Sequence, residues 1–330
     1  NIDIVEIHGG DDDADRSSRV HAALSTLVSN QSFGKDPVFI SLPGNLCLFR
    51  EFQLPAGSEA KLKELVQYEA KQQIPFPLEQ VEMAWETYED QVGGGIGVEM
   101  IVARKNIVQE ILSLTDQVNL NVQGVAVSAV ALFNFIHYEF PSKGATLILD
   151  AGHKATDFVV VHNRHMYSRT IQIAGREITR VLENKFKVPF EKAEDLKKNI
   201  SQSKQAEKIL SVIEPTLRQL NSEIQRTIGF YKSKARGQKI QQAYLMGHTF
   251  RLPGMAEQLA GQIREAPFTI IEGVRRIRLD HSINPDVFAN EFPTLAVPIG
   301  LGLQGLGLCE WDANLLPPER QKEIQIGQKR

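Results

Sequence analysis

The stretch LILDAGHKATDFVVVH, Leu147–His162, decides how this chain is read. Leu147–Leu149 are apolar, Asp150 and Gly152 mark a turn, and a second apolar run, Phe158–Val161, follows Thr156-Asp157. Branched and aromatic runs on either side of a glycine turn predict a β-hairpin. Two readings of that turn stand side by side. A strand end offers free backbone N–H groups, and glycine lets an anion approach them. A carboxylate beside the turn, here Asp150, can hold a hydrated magnesium ion. Together these make a phosphate cradle. The plainer reading is a buried hairpin that holds nothing.

The rest of the composition narrows the class. At 330 residues the chain has room for about two domains with a substantial core. Its hydrophobic fraction of 42% and charged fraction of 23% are those of a soluble globular protein. A net charge of −3 gives no support to nucleic-acid binding. The acidic run Asp11–Asp15 reads as a solvated loop. The two cysteines, Cys47 and Cys309, lie far apart and outside metal or redox spacing, which fits a reducing compartment. The longest apolar tract, Phe292–Leu308, is too short and too rich in Gly and Pro to span a membrane. It reads as a buried helix packed closely through Gly300, Gly302, Gly305 and Gly307.

Around the hairpin the chain divides by its periodicities. Ile2–Ile7 reads as a strand and Val20–Val28 as a helix. Two strands meet at Pro43-Gly44, and Leu46, Leu48, Phe52 and Leu54 alternate onto one face. A helix capped by Ser58 carries Leu62, Leu65 and Val66 and stops at Pro75 and Pro77. Strands near Val81–Tyr88 and Gly97–Ala103 flank Gly93-Gly94-Gly95, and Ile107–Val118 is helical. Residues 37–122 therefore read as one α+β unit. Ser128–Phe140 is an apolar helix leading into the hairpin, and Gly175 opens another helix that runs to Phe186. The charged helix EKAEDLKKN reads as a solvated face. A long helix follows over about Glu207–Lys234, with an apolar stripe from Ile209 to Tyr231. The strand QAYLM runs into Gly247-x-Thr249 and Pro253-Gly254. The last twenty residues are polar and are expected to be extended.

Three features thus stand in fixed order: strand–Asp150-x-Gly152–hairpin, Gly175 opening a helix, and strand–Gly247-x-Thr249–loop–helix. The arrangement resembles the actin, Hsp70 and hexokinase superfamily. At closer range, LPGNLCLFREFQLP, YEAKQQIPFPLEQVEMAWE, LILDAGHKATDFVVV, IQIAGREIT, EIQRTIGFYKS, LMGHTFRLPGMAEQL and PTLAVPIGLGLQGL resemble the PilM family of type IV pilus assembly proteins. That resemblance covers about residues 20–308.

It implies an α/β, two-lobed actin-like (ribonuclease H-like) fold. Lobe I would be residues 1–142 plus 291–312, with an inserted α+β subdomain at about 37–122, and lobe II would be 143–290. It also implies a cytoplasmic scaffold at the inner face of the inner membrane, with ATP and Mg as cofactors. Asp150, Gly152, Lys154, Thr156 and Gly175 would meet the phosphates, with Asp150 holding Mg through water. Glu223, Arg226, Gly247 and Thr249 would bound the nucleoside. Glu223 and Arg226, three apart, also read as a surface helix pair.

Several positions depart from the family pattern. Lys154 stands where actin-type loops carry glycine, so its ammonium would clash with a phosphate or contact it as a point charge. His248 replaces the second glycine of the usual Gly-Gly pair. The family's earlier Asp-x-Gly hairpin has no counterpart here, and the chain reads as starting after it. Phosphoryl transfer depends on positioning and charge stabilisation, so no efficient hydrolysis is expected.

Residues 313–330 form a separate tail, in which Asn314-Leu315-Leu316-Pro317 resembles the start of PilN, the membrane partner of PilM. Leu315 and Leu316 would each gain roughly 1.5–3 kcal/mol on full burial. Pro317-Pro318 pre-extends the chain, and a tethered peptide sees an effective concentration on the order of millimolar. The expectation is a PilN-like peptide that docks in cis or on a neighbouring chain, between lobe I and the inserted subdomain. One reading continues the natural chain beyond Arg330 into a membrane helix, as in GspL of type II secretion. Two alternatives to the pilus scaffold are a nucleotide-free GspL-like scaffold and a small-molecule kinase, for which no Asp base is assignable.

Overall fold

The computed structural model describes residues 2–7, 15–31, 33–57, 59–89, 94–234, 238–264 and 266–328. Helix α1 (Arg16–Asn30) precedes strand β1 (Val38–Leu42). Then come β2 (Cys47–Leu54), α2 (Leu62–Gln73), β3 (Val81–Glu89) and β4 (Ile96–Arg104). They lead to α3 (Lys105–Gln117), β5 (Val122–Val127) and α4 (Ser128–Glu139). β1 and β5 pair in parallel, whereas β2, β4 and β3 form a separate antiparallel sheet in the order β2-β4-β3. The strand before Pro43-Gly44 therefore does not join the α+β unit to which its sequence assigns it. It pairs with a segment some eighty positions later, a long-range choice that local pattern does not encode.

The second lobe begins with β6 (Ala145–Ala151), β7 (Thr156–His162) and β8 (His165–Ile171). It continues through α5 (Gly175–Phe186), α6 (Phe190–Lys198), α7 (Ala206–Lys234), β9 (Ile240–Met246), α8 (Met255–Gln262) and β10 (Phe268–Ile270). Its five strands lie in the order β10-β9-β6-β7-β8, with β6, β7 and β8 an antiparallel meander and β9 and β10 added in parallel. The apolar runs of β6 and β7 are unbroken because both faces are covered. Leu147, Leu149, Phe158 and Val160 face the core made with α5 and α7, while Ile148, Val159 and Val161 face the core of the first lobe.

The chain returns to the first lobe through α9 (Pro285–Glu291) and α10 (Ala296–Gly305), and it ends in α11 (Pro318–Gln328). α10 crosses α4 so closely that a Cβ on Gly300 would lie 1.9 Å from the Ala131 carbonyl oxygen. Gly305 packs on Phe39, but Gly302 meets nothing, and Gly307, at φ +67°, ends the helix rather than packing it.

Other expectations change as well. Ile2–Ile7 forms no strand, and its Glu6 pairs with Lys198 at 2.7 Å. The tail is not extended throughout, because Pro318 starts a helix. The proposed cap at Ser58, Gly93 and most of the acidic run lie outside the described residues.

Candidate functional site

Three chain reversals meet where β6, β9 and α5 end or begin. The hairpin turn closes with Gly152 N–H donating to Ala155 O at 3.1 Å. Its carbonyls then receive the start of α5: Gly175 N–H donates to Gly152 O at 3.1 Å, and Arg176 N–H to His153 O at 2.8 Å. Gly247, at φ +89°, carries the chain out of β9, and a Cβ there would sit 2.3 Å from Ala151 O. Only glycine fits that backbone conformation and that gap. A Cβ on Gly175 would lie 3.3 Å from Gly152 O and 3.7 Å from Thr249 Oγ1. Thr156 Oγ1 donates to Ile173 O at 2.7 Å, which ties β7 to the approach of α5. Asp150, Gly152, Thr156, Gly175, Gly247 and Thr249 are thus brought together, with Lys154 half-buried in the same turn. His248 is exposed while Thr249 is buried, and burial, then the charge of Arg251, with those of Lys197 and Lys198, lower the His248 pKa.

Glu223 and Arg226 form the surface helix pair that their spacing also allows. They pair with each other at 3.2 Å on α7, with side chains 32% and 59% exposed.

At the corner itself the fold adds Lys197 and Glu194 from α6. A Cβ on Gly175 would lie 3.2 Å from Lys197 Nζ. That ammonium donates to Gly175 O at 3.1 Å, Thr179 Oγ1 at 2.9 Å and Glu194 Oε2 at 2.7 Å. Burial lowers the Lys197 pKa against the pull of Glu194. Burial pushes Glu194 up, but Lys197 and Thr179 outweigh it and hold the carboxyl below its usual range. The helix reads as a solvated charged face, yet Ala193 is fully buried, and Glu194 and Lys197 share its side of the helix at i,i+3 spacing. The signal was Ala193-Glu194-x-x-Lys197, hidden among other charges.

The carboxylates are unequal. Asp150 faces Asp157 across the hairpin. Burial, and then the charge of Asp157, push the Asp150 carboxyl up to about 7. Asp157 accepts hydrogen bonds from Ser128 Oγ and from Thr170 Oγ1 at 3.1 Å, and Ser128 Oγ also accepts from Gly44 N–H at 3.0 Å. Those contacts pin the Pro43-Gly44 turn of the first lobe to the hairpin of the second. A Cβ on Gly44 would lie 2.5 Å from Asp157 Oδ1. Among the described residues no group of three or more His, Cys, Asp or Glu could hold a metal ion. The donor set therefore fits Mg²⁺ only as an ion already carried by phosphate oxygens, with Asp150 as its one carboxylate.

A second site lies on the first lobe. The outer edge of β5 is open, and the tail covers it. Asn314 Oδ1 accepts from Val125 N–H at 2.9 Å, Asn314 Nδ2 donates to Gln123 O at 3.1 Å, and Leu315 N–H donates to Val125 O at 2.8 Å. Leu315 and Leu316 are 2% and 1% exposed within the first-lobe core. Arg320 pairs with Asp116 at the end of α3. The tail thus docks in cis. Trp311, which belongs to none of the sequence motifs, is 2% exposed just upstream.

The buried Asp150 carboxyl sets a pH dependence. In the folded chain Asp150 keeps its proton up to about 7, whereas the unfolded carboxyl loses it near 3.8. Its contribution to stability is therefore whole below the unfolded value and falls as pH rises through that window, by about 1.4 kcal/mol for each pH step of one at most. Asp150→Asn removes that slope. Urea unfolding at pH 5 and pH 8 should show the variant gaining on the parent at pH 8, and an unchanged difference would contradict the buried acid.

Comparison with known proteins places these features. The sequence matches the type IV pilus assembly protein PilM family over residues 8–306. A solved PilM-PilN type IV pilus biogenesis complex superposes with TM-score 0.77 at 22% identity, covering 88% of this chain and 86% of that one. MreB 5 of Spiroplasma citri, solved with AMPPNP, gives TM-score 0.49 at 11% identity, covering 94% and 78%. The cytoplasmic domain of EpsL of Vibrio cholerae gives 0.41 at 11% identity, covering 91% and 84%. With the family matched across most of its length and the two-lobed actin-like fold in place, this chain belongs to the PilM family of type IV pilus assembly proteins.

Proposed function

We propose that this chain is an actin-like scaffold of the type IV pilus assembly platform, at the cytoplasmic face of the inner membrane. Its first-lobe groove takes a PilN-type peptide, and its glycine corner takes ATP. The observation that carries the reading is the docked tail. Asn314, Leu315 and Leu316 cover the β5 edge with three backbone-directed hydrogen bonds and two buried leucines. The similar solved structure is of a complex with PilN, and the Asn-Leu-Leu-Pro segment here resembles the start of that partner. In this chain the peptide is supplied in cis. No described helix is long and apolar enough to cross a membrane, so membrane attachment would run through a partner or a segment outside Asn1–Arg330.

At the corner the N–H groups of Gly152, Gly175 and Gly247 are taken by Ala155 O, Gly152 O and Pro293 O, so a phosphate would rest on Lys197, the partly buried cation beside Gly175. Asp150 would hold a phosphate-bound Mg²⁺, and Thr249 would bound the nucleoside. Magnesium supplies charge neutralisation at the phosphates when bound. Neither carboxylate of the hairpin is free to act as a base, since Asp157 is committed to Ser128 and Thr170 and Asp150 would be committed to the ion. That favours binding over turnover.

Two measurements test this reading. Trypsin should spare Arg320 and Lys322 in the parent and cut there at least tenfold faster in Leu315→Asp/Leu316→Asp, since burying two leucines contributes several kcal/mol; equal cutting rates would refute the docked tail. For nucleotide, Mg-ATP should raise the melting temperature of the parent and not that of Lys197→Ala. A rise of equal size in both would take Lys197 out of the site, and none in the parent would remove ATP from the proposal.

A further inference from the structure

The grip on the tail begins before Asn314. Asn134 is 1% exposed in the middle of α4, between the buried apolar residues Phe133 and Phe135. Its side-chain amide is satisfied entirely by the tail. Asn134 Oδ1 accepts from Glu310 N–H at 3.2 Å and Trp311 N–H at 3.0 Å, and Asn134 Nδ2 donates to Trp311 O at 2.8 Å. A buried amide in an apolar helix is costly unless such partners are present, so this position is committed to that peptide segment.

The Trp311 ring is the largest fully buried side chain described. It packs 5.9 Å from the Phe133 ring, and its Nε1–H donates to Arg164 O at 3.1 Å in the turn between β7 and β8. Arg164 pairs in turn with Glu310 at 3.1 Å. Gln304 on α10 bridges onward, with Nε2 donating to Asp312 Oδ1 at 3.1 Å and Ala313 O at 3.3 Å. The held segment is therefore continuous from Glu310 to Leu316.

We infer that Trp311, seated through its backbone by Asn134 and through its ring by Phe133 and the Arg164 carbonyl, is the specificity anchor of this groove. A free peptide starting at the Asn-Leu-Leu motif recovers only the β5 contacts and does not displace the tail. The partner that could displace it is a segment with a tryptophan three residues before Asn-Leu-Leu. Buried tryptophans are the residue type on which interface affinity most often rests. Tethering adds a local concentration on the order of millimolar to the advantage of the cis segment. This rests on reading the tail as a PilN-type docking peptide.

Hydrogen exchange at the Leu315 amide of the full chain tests both. In the parent that amide should exchange slowly. Asn134→Leu should speed it by about tenfold or more, the scale of losing buried hydrogen bonds. Asn134→Asp, which keeps the acceptor and loses the donor, should fall between, and unchanged exchange at Leu149 reports that each variant is folded. With millimolar synthetic peptide, Glu310–Pro318 should open the tail of the parent and Ala313–Pro318 should not. If the Leu315 amide is equally slow in all three chains, or the short peptide works as well as the long one, the anchor is wrong and the docking reading stands. If that amide is unprotected in the parent, the docking reading itself fails.

Discussion

An open sheet edge has to be covered, and in this chain the cover is its own tail. Val125 on the outer side of β5 presents an amide and a carbonyl, which Asn314 and the Leu315 amide satisfy. Once that edge is closed, Leu315, Leu316, Ala313 and Trp311 complete the first-lobe core alongside Val125, Val127 and Phe133. The same segment reaches further. Trp311 bonds the turn of the second-lobe hairpin, and Glu99 of the inserted sheet accepts the Met166 amide of β8 at 2.9 Å. The junction of lobe I, lobe II and the insert is therefore built around the docked tail as well as the two sheets.

The junction is charged as well as packed. Glu51, Glu99 and Glu86 stand directly opposite one another across the inserted sheet, where like charges repel. His165 answers two of them, at 3.2 Å from Glu51 and 3.1 Å from Glu99. That contact, with help from Tyr88 and Lys234, holds the Glu51 carboxyl down at about 2 although burial opposes it. Glu99, buried and facing the other glutamates, is pushed well above the usual carboxylate range. The cross-lobe bond from Ser128 to Asp157 is the counterpart at the other end of β7. One strand thus runs from the glycine corner to the turn that Trp311 grips.

Much of this was legible in the sequence, for physical reasons. β6 and β7 are buried on both faces, so their apolar runs are unbroken, and the turn between them is marked by glycine. Gly247 could be singled out because a glycine directly after the apolar strand QAYLM, before Thr249 and Pro253-Gly254, marks a reversal, and the structure shows it at φ +89° against the Ala151 carbonyl. The docking of Asn-Leu-Leu-Pro was readable through its resemblance to the start of PilN, with the burial of two adjacent leucines as the driving force. What was not legible depended on tertiary context. Lys197 and Glu194 sit in a helix whose composition reads as surface, and only the fold turns them toward Gly175. Glu223 and Arg226, by contrast, form the surface pair that their i,i+3 spacing allows. The parallel pairing of β1 with β5 joins segments that carry no local mark of each other. Trp311 lies outside any motif, and its partner Asn134 looks like an accident in an apolar helix until the tail is placed beside it.

The most direct test is a distance. Spin labels on cysteines introduced at Gln117 and Gln321, in a chain with Cys47 and Cys309 replaced by serine, would report whether the tail lies along α3. One short, narrow distance, unchanged on dilution with unlabelled chain, is the expected result. A broad distribution of long distances would mean that the tail leaves the groove open, and a short distance lost on dilution would mean that a neighbouring chain fills it.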